Sequence, residues 1–180
     1  SGFDADKKKF PEGLHNFAQK VKSKYGIRYL ILWHVFIGYW AGVIGFDKYG
    51  VKDVIFEFQE KRIGSAVKSD TLNTMGEFYP SNLCGIRIRY IDDGVDDFYD
   101  DFYKYLSECG VDGCKVDAFG WAEVIGRHGA GGNKMLSNYV KAMTNAADKH
   151  FNGSLISCSC NGNNFLFDSF TNTVTRNTED

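Results

Sequence analysis

The sequence carries almost no net charge and no long uninterrupted apolar run. Its 180 residues include 21 Lys and Arg against 23 Asp and Glu, which gives a formal net charge of -2. This balance does not predict a surface for nucleic acid or anionic membrane, because such surfaces need a concentrated positive field. No stretch reaches the roughly 18 consecutive apolar residues that a membrane-spanning helix requires. We therefore expect neither a nucleic-acid partner nor a membrane partner.

The cysteines form no disulfide or metal pattern. There are five of them, Cys84, Cys109, Cys114, Cys158 and Cys160. An odd number, placed on predicted strands and helix ends in a chain of this size, argues against a disulfide scaffold. Cys158 and Cys160 lack the two-residue spacer of a zinc knuckle, and no histidine pair stands near them. We interpret the cysteines as small buried apolar side chains.

Two further segments have the composition of a ligand-binding loop but lack the specific residues that such a loop needs. Residues 126–132 are rich in glycine, but they contain neither the Gly-Lys-Ser/Thr of a phosphate loop nor the dinucleotide fingerprint, so a flexible turn is predicted. Residues 92–101 include six aspartates, yet the fixed ligand pattern of a calcium loop is absent. We interpret these aspartates as the negative first turn and outer face of a helix.

Aromatic side chains are abundant, at 16% of the chain. They serve either a packed core or a carbohydrate site, where the C–H faces of sugars stack on rings. Trp33, Tyr39 and Trp40 stand at or just past the end of a predicted strand. A core cluster and a ligand platform both explain them at this point.

Periodicity predicts an alternation of helices and strands. Apolar residues at three- and four-residue spacing predict a helix that starts at Pro11 and ends at Gly26, one over the acidic run that Gly110 closes, and one from about 133 to 150. Runs of apolar or β-branched residues predict strands at 27–33, 110–117, 155–160 and 173–175, with further candidates around Val54 and Ile88.

This alternation predicts an α/β fold with a parallel sheet and right-handed crossovers. A doubly wound sheet and a (β/α)8 barrel both fit the order of elements. A complete barrel needs about 250 residues, so a barrel of this kind would be represented here by its middle portion. Residues 45–90 are assigned neither to the main sheet nor to an excursion from it.

Two predicted strand ends carry a carboxylate with a nearby cation. Lys115 and Asp117 are two residues apart on one strand, so they point to the same side of it. Asp180 follows the last strand candidate, close to Arg176, and lies 180 − 117 = 63 residues beyond the first carboxylate. Paired carboxylates are what glycosidic cleavage requires, with one as nucleophile and the other as acid/base. A purely structural ion pair at the first strand end explains the pattern equally well.

Several segments resemble the α-galactosidase and raffinose synthase group of glycoside hydrolase family 36, which includes the seed-imbibition proteins. They are residues 9–14 (Lys-Phe-Pro-Glu-Gly-Leu), 24–27 leading to 33–34, 38–43 (Gly-Tyr-Trp-Ala-Gly-Val), and 102–117, which ends in Gly-Val-Asp-Gly-Cys-Lys-Val-Asp. Residues 174–180 (Val-Thr-Arg-Asn-Thr-Glu-Asp) are similar to the second catalytic segment of this group.

The resemblance implies a retaining α-galactoside-processing enzyme on a (β/α)8 TIM barrel. Residues 1–180 would form the middle portion of a single glycosidase catalytic domain, with a poorly matched excursion at about 44–92. No metal or organic cofactor is implied, and the expected partner is an oligosaccharide substrate with a terminal galactose. The oligomeric state is not determined by the sequence.

The resemblance also implies a role for individual residues. Asp117 corresponds to the nucleophile and Lys115 to a sugar ligand, while Asp180 corresponds to the acid/base. The remaining substrate-binding candidates are Arg176, Trp33, Cys158 and His34. The family usually has Ser-Asp-Asp where this chain has Thr-Glu-Asp, so Glu179 is a rival for the acid/base role.

Three functions are compatible with these residues. The main prediction is hydrolysis of terminal α-galactosides of the raffinose type by double displacement. The first alternative is galactosyl transfer of the raffinose or stachyose synthase type, through the same intermediate but with a sugar in place of water. The second alternative is a non-catalytic sugar-binding fragment.

Overall fold

The structure is a computed structural model that describes residues 2–55, 87–126, 131–158 and 174–175. Four α-helices lie in these ranges, namely α1 (Gly13–Tyr25), α2 (Val95–Glu108), the short α3 (Ala122–Ile125) and α4 (Gly132–Phe151). Six strands accompany them, namely β1 (Ile31–Val35), β2 (Val51–Ile55), β3 (Arg87–Ile91), β4 (Gly113–Asp117), β5 (Leu155–Ser157) and β6 (Val174–Thr175).

The main sheet has four parallel strands in the order β1-β4-β5-β6. Its register aligns Val35 with Asp117, and Val116 with Ser157. The order runs in one direction across the sheet, with α2 in the connection from β1 to β4 and α4 in the connection from β4 to β5. A mixed α/β fold with a mostly parallel sheet is therefore confirmed.

One face of the main sheet is covered by α2 and α4, which pack against each other. The side chains that point to this face are buried, as in Cys114, Val116 and Leu155. Along β4 these buried residues alternate with the half-buried Lys115 and Asp117. Alternation of this kind separates a core face from an open face, and it places Lys115 and Asp117 on the open face, as their spacing predicts.

β2 and β3 form a separate antiparallel pair. The loop after β1 is fastened to this pair by backbone hydrogen bonds, in which Val43 N–H donates to Arg89 O at 3.0 Å and Arg89 N–H donates to Ala41 O at 3.1 Å. Gly42 lies between the two bonds with φ +83°, where an added Cβ would stand 1.6 Å from Arg89 O. Glycine is thus required at position 42 by both backbone conformation and space.

The predicted helices are confirmed within a few residues. Gly26 ends α1 in the left-handed conformation at φ 67°, and the predicted inward face of α4 is buried. The first strand differs, because β1 runs from Ile31 to Val35 instead of covering 27–33. Here Asp112 binds the chain just before β1, accepting a hydrogen bond from Leu30 N–H at 2.7 Å, so the strand starts later than its apolar run suggests.

The acidic run belongs to α2 and its approach, as predicted. Asp96 and Asp97 occupy the first turn of the helix. Asp100 on its outer face accepts from Lys149 Nζ at 2.8 Å and contacts His150 Nε2 at 2.7 Å, both at the end of α4. These bonds hold the pKa of Asp100 below its ordinary value. Asp100 therefore joins α2 to the end of α4.

His34 is buried between β1 and α2. Its Nδ1–H donates to Val35 O at 2.8 Å, so Nε2 is left to accept from the Tyr103 hydroxyl at 3.0 Å. The rings of Tyr99 and Phe102 also lie against it, with centroids at 6.0 and 5.5 Å. Burial lowers the pKa of His34 from 6.5 to about 4, because this site solvates the imidazolium poorly.

We expect this burial to make the protein sensitive to mild acid. The pKa of His34 is lower in the folded state than in the unfolded state, so only unfolded chains take up its proton between pH 6.5 and about 4. The free energy of unfolding should fall by about 3 kcal/mol across that window. In urea denaturation experiments between pH 7 and pH 4, the free energy of unfolding should fall less for His34→Gln than for the wild type. The same change at the exposed His15 is the control, and an unchanged slope in His34→Gln would contradict the prediction.

Candidate active site

Asp117 is the last residue of β4 and stands at the carboxyl end of the parallel sheet. β4 lies very close to its neighbour, since an added Cβ on Gly113 would come within 2.5 Å of Ser154 O. This close approach explains the glycine at the start of the strand. Carboxyl ends of parallel strands are where α/β proteins place their reactive groups, so the location favours a functional carboxylate.

Two donors bind the two oxygens of the Asp117 carboxylate. Trp33 Nε1–H donates to Oδ2 at 3.0 Å, and the backbone N–H of Ala118 donates to Oδ1 at 2.7 Å. Ala118 has φ 65° and ψ 30°, which is uncommon for a residue with a side chain. Residues held in such sparsely populated conformations concentrate at functional sites.

Three aromatic rings extend from the carboxylate along the sheet edge. The Trp33 ring lies 6.0 Å from Tyr39 and 5.5 Å from Trp40, measured between centroids. Trp40 in turn lies 5.1 Å from the buried Trp121. Trp33, Tyr39 and Trp40 are 38%, 61% and 39% exposed, so they form an aromatic surface (Trp33, Tyr39 and Trp40) that is open to solvent and is supported at Trp40 by Trp121.

Lys115 lies next to this surface on the open face. It is aligned with Trp33 on one side and with Ile156 on the other. A lysine ammonium is a mobile donor of three hydrogen bonds on a flexible stem. The arrangement therefore places a cation and a carboxylate beside exposed aromatic rings, which are the groups that a sugar ring with several hydroxyls requires.

The other candidates are placed differently. Cys158 follows β5 directly, is fully buried, and donates its backbone N–H to Val116 O at 2.8 Å, so it lies one residue beyond the aligned pair of Val116 and Ser157. His34 belongs to the helix-covered face, and both of its ring nitrogens are engaged there. It supports the packing of β1 on α2, on the face of the sheet that does not carry Asp117.

The second carboxylate segment lies outside the described residues. Arg176, Glu179 and Asp180 all belong to it. Thr175 is the last described residue of β6, and it is aligned with Ser157. Ser157 is itself aligned with Val116, so β6 reaches the level of the residue before Asp117.

Asp112 is a structural carboxylate that the sequence analysis missed. It accepts from Leu30 N–H at 2.7 Å and from Lys22 Nζ at 2.9 Å, while its own N–H donates to Leu30 O at 2.9 Å. These contacts join α1, the approach to β1 and the approach to β4. A signal was present in its position before the strand, where a carboxylate can bind free backbone N–H groups.

The described residues contain neither a metal-binding cluster nor a membrane-spanning helix. Among residues 2–55, 87–126, 131–158 and 174–175, no group of three or more His, Cys, Asp and Glu side chains is arranged to hold a metal ion. Within the same ranges, no helix has the length and apolar character needed to cross a membrane.

Comparison with known proteins gives a consistent family. A family model described as raffinose synthase or seed imbibition protein Sip1 matches residues 3–180. The chain is 28% identical over 169 residues to the probable galactinol–sucrose galactosyltransferase 1 of Arabidopsis thaliana, covering 89% of this chain and 21% of the relative. It is 25% identical over 158 residues to the stachyose synthase of Pisum sativum, covering 86% of this chain and 18% of the relative.

These relatives are much longer than the chain, which spans about a fifth of their length. Their names describe a galactosyltransferase and a stachyose synthase, which fit the alternative of galactosyl transfer better than the predicted hydrolysis. The match to the family model covers almost the whole chain, from Phe3 to Asp180. The chain therefore belongs to the raffinose synthase and seed imbibition protein family.

Proposed function

We propose that this chain carries the nucleophile half of a galactosyltransferase site, in which Asp117 accepts a galactosyl group and a sugar acceptor then removes it. The observation that carries the proposal is the Asp117 carboxylate at the end of β4, bound by Trp33 and flanked by exposed aromatic rings. The parallel strands in sequential order support a partial (β/α)8 barrel as the scaffold.

The aromatic surface supports a carbohydrate substrate. Galactose presents an apolar patch of C–H groups on one face of its ring, and such patches stack on exposed tryptophan and tyrosine. Trp33 is close enough to Asp117 for a sugar stacked on it to bring its anomeric carbon toward the carboxylate. Lys115 and, in the segment after β6, Arg176 would bind hydroxyl groups of the same ring.

The proposed reaction consists of two displacements. Asp180 acts as an acid in the first displacement and as a base in the second. An oxygen of Asp117 bonds to the anomeric carbon as the bond to the leaving oxygen breaks, and Asp180 gives that oxygen its proton. In the second step an acceptor hydroxyl attacks the same carbon. Asp180 removes the hydroxyl proton, and the bond to Asp117 breaks to regenerate both carboxyl groups. Glu179 is the rival for the acid/base role.

The acceptor decides whether the outcome is transfer or hydrolysis. The names of the relatives favour a sugar acceptor such as sucrose and a donor such as galactinol. Tyr39 and Trp40 extend the aromatic surface beyond Trp33, and a second sugar ring that stacks there would occupy the space that a water nucleophile needs. This favours transfer, with hydrolysis of terminal α-galactosides as the second candidate.

The test uses the full-length protein that carries this sequence, incubated with galactinol in the presence and absence of sucrose. Formation of a galactosylated trisaccharide at a rate well above that of free galactose is expected and would support transfer. Free galactose as the main product with sucrose in excess would establish hydrolysis instead. Sugar binding in calorimetry without either product would establish the sugar-binding alternative.

A further inference from the structure

The indole of Trp33 does more than offer a flat surface. Its Nε1–H points at Asp117 Oδ2 at 3.0 Å, across the parallel pair of β1 and β4. The register that aligns Trp33 with Lys115 sets the indole two residues back from the Asp117 level, so the long side chain reaches forward to the carboxylate. A ring that only formed the floor of a sugar site would not need this orientation.

The other carboxylate oxygen of Asp117, Oδ1, is held by a backbone N–H group. Ala118 N–H donates to Oδ1 at 2.7 Å, and Ala118 takes up a left-handed conformation at φ 65°. With Oδ1 bound in this way, rotation of the carboxylate is limited, and Oδ2 is directed to the side where Trp33 and the aromatic surface lie. These two hydrogen bonds favour the orientation in which Oδ2 faces Trp33.

We propose that Trp33 is a positioning residue for Asp117, and that its indole N–H orients the carboxylate and keeps it ionised for attack on the anomeric carbon. The inference rests on the proposed role of Asp117 as nucleophile. A donor to a carboxylate favours its charged form, and a charge-assisted hydrogen bond is about twice as strong as a neutral one.

The same bond acts again when the galactosyl group leaves. As the bond between Asp117 and the anomeric carbon breaks, negative charge returns to the carboxylate. The indole N–H is already in place to receive it, so no reorganisation is needed at that step. Loss of the N–H should therefore slow the breakdown of the intermediate. It should also destabilise the ionised form of Asp117 in the free enzyme.

The first test is Trp33→Phe in the full-length protein, which keeps an aromatic ring and removes the N–H. We expect the acidic limb of the pH profile of kcat/KM to move to higher pH by roughly one unit, with kcat lowered by about tenfold or more. Trp40→Phe is the matched control, because it makes the same replacement in a neighbouring indole whose ring centroid lies 5.5 Å from that of Trp33. Trp40→Phe should change the KM for the acceptor, but it should not shift the acidic limb of the pH profile.

The second test needs no Trp33 variant and no activity. In protein labelled with 15N-tryptophan, the Trp33 indole resonance should shift with pH as Asp117 titrates, and the shift should be absent in Asp117→Asn. A Trp33 resonance that ignores pH, or an acidic limb that stays in place in Trp33→Phe, would overturn the inference. If the resonance follows Asp117 but Asp117→Asn remains fully active, the positioning bond is real and the proposed function is wrong.

Discussion

Replacement of Asp117 by Asn should abolish galactosyl transfer in the full-length protein while leaving the fold intact. An amide cannot form the galactosyl intermediate, so we expect kcat/KM for an aryl α-galactoside to fall at least about a thousandfold. Asn keeps a carbonyl oxygen that can accept a hydrogen bond from Trp33 Nε1–H or from Ala118 N–H, as the Asp117 carboxylate does. The free energy of unfolding should therefore change by less than about 1.5 kcal/mol.

Asp112→Asn is the matched control, because it makes the same chemical change five residues earlier in the same motif. Asp112 binds Lys22 and Leu30 and lies before β4, away from the aromatic surface. Its replacement should lower the free energy of unfolding by about 1–2 kcal/mol, with kcat of the folded fraction near that of the wild type. Urea denaturation and initial rates separate the two effects.

The opposite pair of results, with loss of activity in Asp112→Asn and loss of stability in Asp117→Asn, would contradict the assignment of Asp117 as the nucleophile. If Asp117→Asn unfolds more easily and stays active, Asp117 is the structural ion-pair partner that its position also permits. A further check is Asp117→Gly, in which added azide should restore cleavage of an aryl α-galactoside and yield a galactosyl azide. A small anion can enter the space of the missing carboxylate and attack the same carbon.

Replacement of Gly42 by Ala should be the most destabilising single-methyl change in the loop after β1. The added Cβ would stand 1.6 Å from Arg89 O, and the residue would also keep φ near +83°. The strained backbone costs about 1–2 kcal/mol, and the steric conflict adds about 1–3 kcal/mol. We expect the free energy of unfolding to fall by about 2–5 kcal/mol, as measured by urea denaturation.

Gly45→Ala separates the two contributions. Gly45 has φ +78°, similar to that of Gly42, but its Cβ would meet nothing within 4 Å. In Gly45→Ala the free energy of unfolding should therefore fall only by the contribution of backbone strain, about 1–2 kcal/mol. Equal losses in the two variants would show that the loop after β1 does not lie on β3 in solution. In Gly42→Ala we also expect weaker acceptor binding, since Tyr39 and Trp40 belong to the displaced loop.

Some of the fold could be predicted because the relevant signals are local. The spacing of apolar residues along α1 and α4, and the glycine after α1, depend on neighbours within one or two helical turns. The alternation of buried and half-buried residues along β4 follows from the pleat, so Lys115 and Asp117 could be assigned to one face from their spacing alone.

The first strand shows where such reasoning fails. The apolar run at 27–33 suggested a strand that ends at Trp33, but Asp112 holds Leu30 and the strand continues to Val35. This shift places His34 inside the strand, on the helix-covered face, and it leaves Trp33 on the open one. Burial against α2 then explains the neutral imidazole.

The family, the main helices and the strand that ends at Asp117 can be recognised without the structure, because motifs and periodicity are properties of short segments. The tertiary structure decided which of two nearby aspartates is a structural anchor, and it brought Trp33 Nε1 to Asp117. These two residues are 84 positions apart in the chain. Their contact depends on the pairing and register of two parallel strands, which long-range packing alone sets.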